Sequence, residues 1–218
     1  MTTKTRQIII WTTFLVHLLG IILLALGLTK GLPPTLFEER LSFLATRPTI
    51  WTIGWAIWMV AAATLILFYA VWATTLRPED KVWGYLAIGI AFTGGLSDWI
   101  SELLVITQVP HLAGLALTDP IFRQLYLIWE ASFMTLTSGL ANLLYGIGGI
   151  LLTLQTIKIV QFPQWLALWN FLLWGCTLLL SIAVFLSITP LMIIASALTF
   201  GLLLPWFLLM GYGWLIIE

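Results

Sequence analysis

The chain has 218 residues, 61% hydrophobic and 8% charged, with nine basic side chains balancing nine acidic ones. Soluble domains carry about 25% charged residues, so water is not the solvent of most of this surface, and the even charge balance gives no reason to expect nucleic acid as a partner. The single cysteine, Cys176, excludes an internal disulfide, and two histidines are too few for a histidine-rich metal set.

A membrane span needs about 20 mostly apolar residues, and six segments qualify. The first is 8–28, after Lys4 and Arg6. A basic start before an apolar run is also the pattern of a signal peptide. This run exceeds the usual apolar region and more spans follow, so a retained first helix is expected. The others are 50–76, 82–109, a segment within 125–157, 165–188 and 191–217. The fifth and sixth are expected to meet at Thr189-Pro190, because proline stops a helix. The fold class that follows is an all-α, polytopic transmembrane bundle, with residues 1–218 as one integral-membrane domain. The bilayer is its first partner.

The loops after the second and fourth spans, RPEDK and IKIVQFPQ, are short. The segment after the first span, TKGLPPTLFEERLSFLATRPT, is longer. Thr35 and Glu38 have capping-box spacing. Phe37, Leu41 and Leu44 then share a face, with Glu38, Glu39 and Arg40 off it. A short helix is expected here, lying in the interface or packed on the bundle rim. In QVPHLAGLALTDPIFRQL, Thr118 or Asp119 is expected to cap a helix begun by Pro120. Lys4, Arg6, Arg77, Lys81 and Lys158 fall on one side of the membrane, and Lys30, Arg40, Arg47 and Arg123 on the other. The dense pair beside the first span favours cytoplasmic termini.

Polar residues inside the spans are the functional candidates. Asp98 and Glu102 lie in the third span, in IAFTGGLSDWISELLVI. Their spacing of four puts both carboxyls on one helix face. At 1.5 Å per residue from Lys81 they stand about 26 and 32 Å along the helix, in its far third. Carboxyls at such depth normally face a bundle interior, a partner or a water-filled cavity. Gly94, Ser97 and Ser101 on neighbouring turns allow another helix or a ligand to approach. Glu130 enters from the same side in the fourth span, about 42 Å from Lys158 by the same count, above Glu102 unless the helix tilts or breaks at Ser138-Gly139. Arg123, two turns before Glu130, is the expected basic partner of Glu102 or Glu130. A structural ion pair at the rim would account for it as well.

His17 sits in the middle of the first span. Alone it would be a neutral, hydrogen-bonded interior histidine. Beside the acids it would shuttle protons or join a carboxylate-rich cation site. Asn142 and Tyr145 follow in the fourth span among Gly139, Gly146 and Gly149. That pattern reads as a helix-packing surface, with Asn142 as interhelical glue and Asn170 in the same role. Pro205 is expected to kink the sixth span. Trp51, Trp55 and Trp58, with Trp165, Trp169 and Trp214, read chiefly as an aromatic belt. An aromatic-lined pocket requires Trp55 or Trp58 to turn inward.

No GxSxG, P-loop, HExxH or CxxC motif is present. No cofactor and no resident metal is expected. The site expected is therefore Asp98, Glu102, Glu130, Arg123 and His17, supported by Asn142, Tyr145, Ser97 and Ser101. It suits a small transporter or binding protein whose outward-facing polar cavity takes a cation, a proton or a small amphiphile. Two other readings fit the same residues. One is a membrane enzyme acting on a lipid or isoprenoid by carboxylate acid–base chemistry. The other is an accessory or structural subunit, in which the glycine faces dock on a second copy or another membrane protein.

Overall fold

The computed structural model describes residues 1–216, so Ile217, at the end of the sixth expected span, lies outside the described residues. Among those residues the chain is all-helical, with no strand, and six helices are long and apolar enough to cross a membrane. In order they are α1 (Thr3–Leu26), a strap with a 3-10 turn at Leu28–Gly31, α2 (Phe37–Thr46), α3 (Pro48–Ala73) and α4 (Lys81–Thr107). Then come α5 (Val109–Ala116), α6 (Pro120–Met134), a π-helical stretch at Thr135–Ala141, α7 (Asn142–Thr156), α8 (Gln164–Phe185) and α9 (Thr189–Met210). The fourth span is the continuous unit α6–π–α7. The face carrying Lys81 and Lys158 is called near below, and the face carrying α2 and α5 far.

Local chemistry sets several boundaries. Asp119 caps α6, its Oδ1 accepting from the Ile121 N–H at 2.8 Å. The expected Thr35–Glu38 capping box does not form. Leu36 precedes α2 without a side-chain cap, and the Thr35 hydroxyl donates back to the Thr29 carbonyl at 2.9 Å, closing the strap on itself. The α8–α9 turn lies at 186–188 rather than at Thr189-Pro190. Ser187 takes the left-handed φ of 55° that ends a helix, and Pro190 falls in the first turn of α9, where its missing N–H costs nothing. Proline inside α9, at Pro205, does not end the helix.

Each span packs on the next in chain order, and α9 packs back on α1, so the six close into a ring. Glycine permits the tightest approaches. A Cβ on Gly94 would stand 3.1 Å from the Ala141 carbonyl, and one on Gly149 would enter the Trp174 ring at 2.2 Å. Gly139 and Gly146 likewise face Phe185 and Leu178. These glycines are packing surfaces, bringing α4 and α8 onto the fourth span.

The near half of the ring is filled. Phe68, Tyr69 and Trp72 of α3, Trp174 of α8, and Trp206 and Phe207 of α9 pack edge to face or tilted, with the Phe68–Trp206 and Trp174–Trp206 centroids 4.8 and 5.1 Å apart. Their polar tips are mostly tied down. Trp72 Nε1 donates to Thr156 Oγ1 at 2.8 Å, Tyr69 Oη to the Tyr145 carbonyl at 2.7 Å, and Trp206 Nε1 to Asn170 Oδ1. At the near rim, Lys158 and Arg77 both hold Asp80, at 3.1 and 3.2 Å.

The aromatic-belt reading holds poorly. Trp51 is fully buried, with Nε1 donating to the Val105 carbonyl at 3.0 Å, and Trp55 and Trp214 are buried too. Trp165 is exposed. The apolar spacing of Trp51, Trp55 and Trp58 marks the face that α3 turns to the ring interior.

Candidate functional site

The far half of the ring encloses a cavity of about 820 Å³. All six spans line it. His17 comes from α1, Trp55 and Trp58 from α3, Asp98 and Glu102 from α4, Glu130 to Tyr145 from the fourth span, Thr177 from α8, and Ser196 and Thr199 from α9. The aromatic cluster closes its near end, with Trp174 and Leu203 at the floor. The strap covers part of the far end with Leu32, Pro33 and Pro34. α6 packs on α4 and α5 rather than on α8 or α9. The exposed lining residues there are Leu127, Ala131 and Thr135 on one side and Ser187, Ile193 and Ala197 on the other. The mouth on this flank of the bundle is thus mostly apolar.

Asp98 and Glu102 stand on one wall, at 8% and 2% exposure. Tyr145 donates its hydroxyl to Asp98 Oδ2 at 2.9 Å. Asp98 Oδ1 and Glu102 Oε2 are buried with no hydrogen-bond partner among the described residues. Three other lining residues share that condition, at Trp55 Nε1, Trp174 Nε1 and Thr199 Oγ1. A buried polar atom without a partner costs about 1–3 kcal/mol. Five of them around one cavity therefore mark a place where a further molecule would be stabilised.

The structure redistributes the remaining expected residues. Glu130 reaches the cavity, but its partner is Arg40, not Arg123. Arg40 Nη1 lies 2.7 Å from Glu130 Oε1, and Tyr126 donates to the same oxygen at 3.1 Å. Arg123 sits too near the start of α6 to reach down two turns. It pairs with Glu38 at 2.8 Å on the rim and donates to the Ala116 carbonyl. Arg40, expected on the outer face of α2, is buried at 6%. Its position was legible in the spacing, since Phe37, Arg40, Leu41 and Leu44 fall at i, i+3, i+4 and i+7.

Glu130 also stands lower than expected. Ser101 donates to the Phe133 carbonyl and Ser97 to the Leu136 carbonyl, both at 3.0 Å. This register brings Glu130 within a turn of Glu102. The π stretch takes up an extra residue per turn, so the count from Lys158 overstates the height. Ser97 and Ser101 do not line the cavity; they clamp α4 to the wide turn. Asn142 is not interhelical. Its amide donates to the Ser138 carbonyl at 3.2 Å, satisfying an acceptor of the π stretch.

His17 lines the cavity but does not join the acids. Its Nδ1 lies 2.8 Å from the Thr13 carbonyl, so Nδ1 carries the proton and Nε2 is left as an acceptor. Among the described residues no three of His, Cys, Asp and Glu come together as a metal-ligand set. The cation site that would have joined His17 to the carboxylates has no geometric basis.

Besides Arg40, sequence reasoning missed Tyr126, Thr177 and Thr199. Single hydroxyls in apolar helices carry no spacing signal of their own.

No family model, curated protein or solved structure matches this chain.

Proposed function

We propose that this membrane protein binds, and by its architecture could carry, a small amphiphile, with the apolar body in the far-side cavity and the polar group against the α4 carboxyls. One observation carries the reading: Asp98 and Glu102 line a largely apolar cavity with an oxygen each left unpartnered. A purely structural pair of acids would be expected in a closed ion pair, as Glu130 is with Arg40. The volume falls within the range of about 300–1,000 Å³ found for small-molecule sites. The apolar rim suits a molecule that arrives from lipid. The filled near half supports a cavity with access from one side.

The test uses the full chain in phosphatidylcholine nanodiscs. Photoreactive sixteen-carbon probes carry a hydroxyl, an amine or a carboxyl at one end and a diazirine at the same chain carbon. At least one probe should label α3, α4 or α9 peptides saturably. Ser196→Phe, which fills the cavity from a half-buried position, should abolish that labelling while thermal unfolding stays near wild type. No saturable labelling by any probe, or equal labelling of Ser196→Phe, would defeat the proposal.

A further inference from the structure

The polar atoms left free in the cavity are of two kinds, and together they select a headgroup. Trp51 Nε1 bonds the Val105 carbonyl, and Trp99 Nε1 bonds the Met59 carbonyl. These two bonds fix the register of antiparallel α3 and α4, and place Trp55 level with Glu102. An indole N–H can only donate. Glu102 offers oxygens. A group bound between them must therefore accept from Trp55 and also meet a carboxyl.

An ammonium has no lone pair for Trp55. It would also stand within about a turn of the Arg40 guanidinium, which is fixed on Glu130. A carboxylate could accept from Trp55 but would add a third acid beside Asp98 and Glu102, where like charges repel. A hydroxyl satisfies both sides. Its lone pair accepts from Trp55 Nε1, and its O–H donates to a Glu102 oxygen, or accepts from Glu102 should that carboxyl carry a proton. Thr199 Oγ1, buried and unpartnered on the facing helix α9, is a further neutral contact of the same type.

We infer that the ligand is a lipophilic alcohol, held by its hydroxyl between Trp55 and Glu102. The inference rests on the binding proposed above and deepens it.

The same nanodiscs decide it. Unlabelled hexadecanol, hexadecylamine and hexadecanoic acid compete against whichever photoprobe labels the cavity. The alcohol should compete at least about fivefold better than either charged molecule, the worth of one neutral hydrogen bond. Trp55→Phe keeps the ring and removes the N–H, and should cut the alcohol's advantage over the amine about fivefold. An amine or acid that competes best, or a ranking untouched by Trp55→Phe, would overturn the hydroxyl assignment while leaving binding itself intact. Absence of any saturable competition would instead defeat the binding proposal. The wild-type ranking needs no variant, so a misfolded Trp55→Phe cannot hide the answer.

Discussion

Arg40 and Glu130 form a buried ion pair of the kind that is costly to assemble and more costly to halve. Removing one partner leaves the other charge buried without compensation. Arg40→Met should therefore destabilise the protein by about 3–5 kcal/mol, whereas Arg40→Met with Glu130→Met should recover most of that loss. Unfolding of the single and double variants in detergent would check this. Equal losses in the two would show that Arg40 contributes only packing. The acids of α4 differ in that, among the described residues, no cation pairs with them. Tyr145 satisfies one oxygen of Asp98 and leaves the rest to whatever enters the cavity.

At the scale of elements, contact distance decides what glycine does. Gly149 lies against the Trp174 ring, where an added Cβ would meet carbon at 2.2 Å, while a Cβ on Gly201 would meet nothing within 4 Å among the described residues. Gly149→Ala should displace Trp174 from the aromatic floor and lower the melting temperature clearly. Gly201→Ala should leave it unchanged or raise it, since alanine favours a helix interior by about 1 kcal/mol over glycine. A matched pair of thermal melts tests both. The elements were also where the sequence was most legible. Apolar runs of sufficient length located all six spans, and the pairing of Asp119 with Pro120 located the start of α6. The π stretch at Thr135–Ala141 was not legible, because α and π turns use the same residues and differ only in which carbonyl each N–H finds. That omission accounts for part of the overestimated height of Glu130, and the count from Lys158, beyond the end of α7 at Thr156, for the rest. The partner of Glu130 was misassigned for a related reason. Proximity in sequence favoured Arg123, while the ring brings Arg40 from ninety residues away. Trp51 and Trp55 were read as facing the interface because hydropathy does not distinguish lipid from a protein interior.

For the whole molecule, the closed ring makes the cavity a property of all six spans, with its open side among mostly apolar side chains. Access should therefore depend on a reagent's solubility in lipid. In a Cys176→Ser background, Ser196→Cys should react with N-ethylmaleimide at least about tenfold faster than with a charged methanethiosulfonate, because the charged reagent must shed its hydration to pass the rim. Equal rates would indicate a water-filled entrance through the strap instead.

The contact of α9 with α1 has a bearing on how the protein is made. The ring is joined just past α9, in the π-helical turn Gly211–Leu215, by Ile10 against Gly211 and by Arg6 donating to the Leu215 carbonyl at 2.7 Å. During synthesis the wall between α8 and α1 is the last to arrive. Without α9 the surface bearing Asp98 and Glu102 would open onto lipid, where ionised carboxyls carry their full cost. The half-built protein is thus marked by the same two acids that the finished one encloses. A membrane quality-control system that detects polar groups in hydrocarbon would distinguish the two without reading anything else of the fold.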